Sequence, residues 1–532
     1  MNYDVIVVGG GAAGLTAAAY TARAGKTIGL FEQQPALGGL VRSVNRNGFV
    51  FDMGLRAIEN SGIILPMVAE LGLPLEYVKS RVSVGIADKV IPVESEAALD
   101  DYSHLLQSFY PKSTVDIGKI IDVIRRIMKD MDVLYGIDNP LFKDLKSDYG
   151  FVIRTLLPWS VKFLFTIGRI NRMNAPVEEF VAGLTADESL RSIICQHFFR
   201  YTPTFFAMSY FSVYLDYLYP KGGTGALMQL LADYDREHGV ALNVGNGVVS
   251  VDPEARTITT KDGAQHGYGG LIWAADLNRL YAAVDTSRVR KVNTKRAIER
   301  RREELLQHDS GDSVFSVFLS VDLPPEYFKA KSEGHFFYTP DPSGLKDLHT
   351  RGLERLVLEV AQGSATRQAV KDYLTGFLAL NTFEISIPVL KDPSMAPLGK
   401  TGVIVSVLLD YTFTKRVRQD GWYEEFKDYC IDEVVRILSA SVYPGLDSAV
   451  LERFAGTPLT IEKHTGNTGG AITGWALGPD PVPVVHKMQQ VSRSVLTPMP
   501  HVYQAGQWAY SPSGLPIAIL TGKLAANRAI RG

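Results

Sequence analysis

The sequence predicts an α/β chain: a Rossmann-like dinucleotide-binding domain assembled from three separated segments, with an inserted antiparallel-sheet domain and a helical lid. Three observations predict it. A G-x-G-x-x-G turn at residues 9–14 sits between a strand and an alanine-rich helix. A turn at Pro220, Gly222 and Gly223 opens a second helix–strand unit in mid-chain. A short strand, a glycine and a Pro/Gly/Ser loop lead into a last helix after Gly514.

Composition sets the bounds. A chain of 532 residues has room for several cores. Its 46% apolar and 21% charged residues suit a folded protein. Lys plus Arg is 55 against 57 for Asp plus Glu, which leaves no electrostatic footprint for nucleic acid. Two cysteines, Cys195 and Cys430, make no disulfide framework, and ten scattered histidines give no metal-ligand spacing. No metal is expected. Residues 1–11 read as a strand entering a glycine loop and not as a secretory signal. No run of eighteen uncharged apolar residues appears, so no spanning helix and a cytoplasmic location are expected.

Residues 3–8 are rich in β-branched side chains, as a strand buried on both faces requires. In the turn that follows, Gly9 allows the bend, Gly11 lets a diphosphate approach the backbone, and Gly14 lets helix and strand pack closely. Ala12 and Ala13 open the helix, whose free N–H groups and dipole favour negative charge. Gly25 closes that helix, residues 27–31 form the next strand, and Glu32 ends it where a carboxylate can accept both ribose hydroxyls.

Beyond Glu32 come Gln33, Gln34, Pro35, Ala36, Leu37, Gly38, Gly39, Leu40, Val41 and Arg42, then Asp52, Met53 and Gly54. This pattern resembles the second glycine motif of flavin amine oxidase and phytoene-desaturase-like enzymes. The resemblance implies non-covalent FAD. Gly38, Gly39, Leu40 and Arg42 would lie along the pyrophosphate, Gln33 beside Glu32, and the Asp52–Gly54 turn would reach the flavin.

At the other end, Ala505, Gly506, Gln507 and Trp508 are followed by Gly514, Leu515, Pro516 and Ala518, then by Gly522, Ala525 and Ala526. Pro516 suits the first turn of a helix. If the ligand is flavin, that helix start stabilises the charge that develops at N1–C2=O on reduction. The run resembles the closing flavin motif of phytoene dehydrogenase-related proteins. It departs at Gln507, where many members carry Asp or Glu for the ribityl chain. The mid-chain block, Pro220 to Val251, resembles the second FAD segment, which implies a backbone contact from Val248 to adenine. The FAD-binding domain is thus expected from 1–75, 215–290 and 485–532.

Residues 76–214 read as mostly helical. Ile117, Ile120, Ile121, Ile124, Ile127, Met128 and Met131 make one apolar stripe, expected to be core. Residues 151–176 combine Trp159, Phe163 and Phe165 with Arg154, Lys162, Arg169 and Arg172 and no acid, which suits either a membrane-interface helix or a lid over a tunnel. The mixed α/β stretch 291–484 carries strand-like runs at 313–321, 356–360, 384–389 and 403–409, expected as an antiparallel sheet capping the flavin. Residues 386–400 and 467–475 resemble the carotenoid-isomerase and retinol-saturase-like branch.

The reading is an FAD-dependent oxidoreductase acting on a long apolar, isoprenoid or polyene lipid by hydride transfer at flavin N5, as desaturase, saturase or isomerase. A tunnel would supply alignment from contacts remote from the reacting carbon, and an acid or base would assist. Asp216, Tyr217, Lys221, Trp475 and Tyr510 are the candidates. A non-covalent amine oxidase shares fold and fingerprints. Neither cysteine falls in the C-terminal motif, so a thioether to the flavin is excluded. An escort-type prenyl-protein binder without flavin also shares the fold; the intact glycine set argues against it.

Overall fold

Val5, Ile6, Val7 and Val8 are buried almost completely, which a strand achieves only with partners on both edges and cover on both faces. The computed structural model describes residues 1–143, 145, 148–346, 348, 350–478 and 482–531, and it gives this strand both. Asn2–Val8 pairs in parallel with Ile28–Glu32 on one side and Gln265–Trp273 on the other. Ala241–Val244 extends the sheet beyond Ile28–Glu32. Thr257–Thr260 and Val248–Asp252 continue it antiparallel from Gln265–Trp273. Val502–Gln504 adds in parallel at Leu271, Ile272 and Trp273. All three expected segments therefore build one sheet.

Two helices close it from opposite ends of the chain. Ala12–Arg23 packs on Leu515–Arg531. Gly522 makes the approach possible, because a Cβ there would stand 2.4 Å from the Ala13 carbonyl oxygen. Leu15, Ala17, Ala18, Ile519, Ala525 and Ala526 are wholly buried around that contact. Each large aliphatic side chain so buried contributes roughly 1.5–3 kcal/mol.

A second sheet runs Val450–Gly456, Val314–Val321, Thr401–Leu408, Phe383–Ser386, His335–Thr339, Val82–Ile86, Lys89–Val93. It is antiparallel except where Val82–Ile86 lies parallel to His335–Thr339. Its outer hairpin thus comes from within 76–214, a stretch that reads as helical in sequence. Alternation divides the faces. Phe315, Val317, Phe336, Tyr338, Ile385, Val403 and Val405 pack under helices Arg367–Leu380 and Tyr423–Ala440. The opposite face presents Phe337, Glu384, Ser406 and Ser316 as one cross-strand row.

One expected strand is not one. Residues 356–360 lie in helix Thr350–Ala361. Leu353 and Val357, four apart, are buried there while Leu358 is 54% exposed, so a helical period overrides the β-branched run. The expected stretch 291–484 includes residues 347, 349 and 479–481, which lie outside the described residues. In the lid, Thr114–Tyr135 buries its whole apolar stripe. The segment Tyr149–Ile170 is one continuous 22-residue helical run with only 11% of its apolar window buried, long and apolar enough by length and composition to cross a membrane. This differs from the expectation of no such helix.

Candidate active site

A cleft lies between the two terminal helices. Gly9, Gly11, Ala12, Ala13, Glu32, Gly38, Gly39, Leu40 and Arg42 line one side of it; Gly506, Gln507, Gly514, Leu515 and Ala518 line the other. The starts of Ala12–Arg23 and Leu515–Arg531 both open here, each with first-turn N–H groups that lack an intrahelical acceptor. Arg42 adds a full positive charge to the same wall. The cleft is built for an anion with two flanking apolar or polar arms.

The glycines separate into those the protein needs and those a ligand needs. A Cβ on Gly14 would lie 1.8 Å from the Gly9 carbonyl oxygen, so that glycine serves the strand–helix contact. Gly54 is similar, with the Leu40 carbonyl oxygen 2.0 Å away; it is absent from the cleft lining and supports Leu40, which is present. Gly11 is different. Its φ of −84° suits any residue, and a Cβ would meet nothing closer than Gly39 Cα at 3.9 Å. Nothing in the protein requires glycine at Gly11. A diphosphate against the helix start does.

Glu32 accepts the Gly10 N–H at 2.7 Å and the Gln34 N–H at 2.8 Å, one on each oxygen. Burial pushes its carboxyl up and those two donors pull it back. One acceptor direction on each oxygen remains for a diol. Gln33 instead bridges outward, donating to the Thr465 carbonyl at 3.2 Å and accepting from Arg279 at 3.0 Å. Val248 lies on the sheet edge paired with Thr260, and Pro516 sits inside its helix; neither lines the cleft. Asp52 does not reach the cleft either. It is fully buried, where it accepts from Thr224 N–H, Ser43 Oγ and Tyr219 OH at 2.7–2.8 Å. It ties the second glycine motif to the mid-chain turn.

The family can now be read. The family described as flavin containing amine oxidoreductase matches residues 12–530. The chain belongs to it. Among curated relatives of this flavin amine oxidoreductase is an all-trans-retinol 13,14-reductase of Danio rerio, 22% identical over 95% of this chain and 82% of its own. A phytoene dehydrogenase of Streptomyces griseus is 24% identical over 98% and 94%. A 4,4'-diapophytoene desaturase of Staphylococcus aureus is 21% identical over 99% and 98%. Among solved structures, an oxidoreductase of Methanosarcina mazei superposes with a TM-score of 0.62 at 15% identity, covering all of both chains. Cyclohexylamine oxidase of Brevibacterium oxydans gives 0.60 at 11%, covering 100% and 99%. The fold is shared.

FAD is the cofactor, and the cleft lining suits it: Gly11 and Arg42 would hold the diphosphate, Glu32 the adenosine ribose, and Gly506 and Leu515 would face the redox ring. Bound there, FAD supplies two-electron hydride chemistry. Further lining residues escaped the sequence reading: Ala274 and Ala275 after the returning strand, and His464, Thr465, Asn467, Ile472 and Trp508. Asn467 and Trp508 lay within quoted motifs, and Trp508 donates to Asn467 Oδ1 at 3.1 Å. The loop carrying His464 had no local signal.

The acid–base candidates scatter. Lys221 is at the surface, 2.7 Å from Glu76. Asp216 caps a loop, accepting from the Asn60 and Ser61 N–H groups. Trp475 is wholly buried, its indole donating to the Trp508 carbonyl. Tyr510 donates to the His486 carbonyl, and burial pushes its phenol up to about 12. Only Tyr217 reaches an inner chamber, together with His197, Tyr210, Glu384, Ser406 and Ile472. Ile472 lines the cofactor cleft too, so the chamber and the cleft share a wall.

Sequence reading also missed a buried charged group behind that chamber. Arg56 donates to the Asp52 carbonyl, to Ser406 Oγ at 2.8 Å and to Ser316 Oγ at 3.3 Å. Lys391 donates to the Arg56 carbonyl at 2.8 Å and Ser386 Oγ at 2.9 Å, 4.2 Å above the Tyr219 ring. Burial first, and Arg56 beside it, bring the Lys391 ammonium down to about 7. Near the flavin end, burial and then Asp216 raise Glu59 to about 7. A Cβ on Gly514 would lie 3.5 Å from its carboxyl oxygen.

Proposed function

We propose that this FAD-dependent oxidoreductase acts on a carbon–carbon bond of a long apolar lipid of the isoprenoid or polyene class. The observation that carries the reading is the shape of the space beyond Ile472. The chamber there shares His197, Tyr210, Phe337 and Thr382 with a further arm. That arm is lined by Val84, Ile86, Ile124, Ile193, Met208 and Phe211. An apolar arm leading away from the cofactor suits a long chain threaded past the redox ring, with binding energy from remote contacts used to align one bond. A small amine needs no such arm. The names of the retinol-reducing and phytoene-desaturating relatives support the same class.

The lid supplies a second part of the proposal, a membrane-facing surface. Tyr149, Ile153, Leu157, Val161, Leu164 and Phe165 are 58–72% exposed along Tyr149–Ile170, at spacings of three, four and one that keep them on one side. Arg154, Lys162 and Arg172 lie within or just after the run. Such a helix lies in an anionic lipid interface, from which an apolar substrate is taken up. Trp159 and Phe163 stack on each other at 4.7 Å, and the Trp159 indole donates to the Val133 carbonyl, so they anchor the helix to the lid.

The test is anaerobic bleaching of the bound flavin. 4,4'-Diapophytoene in micelles should bleach it while putrescine and cyclohexylamine do not. Bleaching by the amines alone overturns the reading.

A further inference from the structure

Glu384 puts a carboxylate into the lining of the inner chamber. Its strand is in the middle of the second sheet, yet its side chain keeps 37% of its accessible surface. That surface faces the chamber, whose lining Glu384 joins across from Ile472 and the cofactor cleft. The rest of that lining is uncharged, aromatic and aliphatic side chains with the neutral polar groups of Gln196, Asn381, Thr382 and Ser406. Glu384 is its one carboxylate among the described residues, and a partly desolvated charge is costly without a specific reason. His335 Nε2 stands 2.9 Å from Glu384 Oε1. The His335 ring is held between Tyr217 at 5.2 Å, nearly parallel, and Phe337 at 5.0 Å. Its Nδ1 is buried and has no hydrogen-bond partner among the described residues. Nε2 therefore carries the proton and donates, which fixes the carboxylate's orientation. Among the described residues Oε2 receives no hydrogen bond.

The geometry points to Glu384 as the base that takes a proton from the substrate carbon, with His335 as its positioning residue; this rests on the function proposed above. In that step one C–H bond breaks and its proton goes to Glu384 Oε2. The electron pair left behind forms the new π bond. The hydrogen on the neighbouring carbon would leave with its two electrons, bound FAD being the two-electron acceptor that balances the step. The direction is dehydrogenation.

The surroundings hold Glu384 in the required state. Burial alone would push its carboxyl up, but the His335 hydrogen bond, then Arg56 and Lys391, outweigh it and bring it below the usual range. The other titratable groups facing it are His197, kept neutral by burial and brought down to about 4, and the phenols Tyr210, Tyr214 and Tyr217, all raised by burial. Asp52 faces Arg56 and Lys391 from behind. The phenols stay protonated at neutral pH, and Glu384 is the one carboxylate among the described residues that line the chamber.

Glu384→Gln keeps the shape and the carbonyl acceptor for His335, and FAD content should be unchanged. The first readout is binding alone. At pH 8 the wild type should bind decyltrimethylammonium at least about tenfold more tightly than decanol, since a cation at the chamber wall meets a carboxylate, and Glu384→Gln should lose that preference. The second is single-turnover bleaching by 4,4'-diapophytoene, expected to slow on the order of 10²-fold or more, with partial activity in Glu384→Asp. His335→Asn should move the acid limb of the bleaching profile to higher pH, because the carboxylate loses its donor. Wild-type bleaching rates with an unmoved pH profile in Glu384→Gln, or an intact ammonium preference, overturn the assignment. If Glu384→Gln does not fold, Glu384→Asp and His335→Asn decide by the same pH profile. If the polyene fails to bleach even the wild type, the function proposed above falls, and the ammonium preference still decides whether Glu384 faces the ligand.

Discussion

Replacing Gly11 by alanine should remove the cofactor and leave the fold intact. The backbone at Gly11 has φ −84° and ψ −173°, open to any residue, and the added methyl meets no protein atom nearer than 3.9 Å. Alanine caps a helix less well than glycine, a cost of up to about 1 kcal/mol. It also loses less chain freedom on folding, which returns about 0.4–1 kcal/mol. The cofactor-free protein should therefore change by less than about 1 kcal/mol, or about 1 °C in Tm for a chain of this length. The cofactor meets a different situation. The methyl occupies the approach to the first-turn N–H groups, so a diphosphate must retreat and lose charge-assisted hydrogen bonds of about 1.5–3 kcal/mol each. Losing two weakens FAD by about 3–6 kcal/mol, or roughly 10²- to 10⁴-fold. The assay is flavin absorbance per protein after gel filtration, with FAD titration and unfolding of the cofactor-free form alongside. Gly14→Ala is the contrast: its Cβ would strike the Gly9 carbonyl, and the cofactor-free protein itself should lose about 1–3 kcal/mol or more. Full flavin retention by Gly11→Ala would refute the reasoning.

Three further outcomes are expected. Because Glu59 titrates near 7 in the folded chain against an ordinary 4.5, its contribution is complete below 4.5 and lost as pH rises through about 7, about 3 kcal/mol in all. Glu59→Gln should match wild type in denaturant unfolding near pH 4.5 and exceed it above pH 8; parallel pH curves for the two proteins would contradict this. Ile472→Trp should close the wall between cleft and chamber, retaining FAD while bleaching by diapophytoene falls at least about tenfold; normal bleaching would show that substrate enters elsewhere. Ile153→Glu with Phe165→Glu should abolish flotation with anionic liposomes while flavin content stays constant, and undiminished flotation would remove the lid helix from the membrane account.

The parts of the site that could be read from sequence are those set by local backbone rules. Gly9, Gly11 and Glu32 follow from one strand–turn–helix unit, and Gly506, Gly514 and Leu515 from another, so short motifs carried them. Glu384, His335, Arg56 and Lys391 obey no such rule. His335 and Glu384 meet because their strands pair in register, with His335 opposite Ser386 and Glu384 opposite Ser406, and Arg56 and Lys391 reach the same place from segments between strands. Lys221, Trp475 and Tyr510 illustrate the reverse error. Each lies near a glycine motif in sequence, but its side chain turns to Glu76, Trp508 or His486 instead. At residues 356–360 the β-branched composition suggested a strand, while burial of Leu353 and Val357 made a helix.

The contact between Ala12–Arg23 and Leu515–Arg531 has a consequence for biosynthesis. The glycine turn leaves the ribosome long before the helix that walls the other side of its cleft. Some 490 residues separate them, about 25–100 s of translation at 5–20 residues per second. Throughout that interval the face of the first helix that packs on Leu515–Arg531 is without its cover. Cofactor loading must therefore follow synthesis of Leu515–Arg531, and nascent protein truncated before Leu515 will need a chaperone to stay soluble.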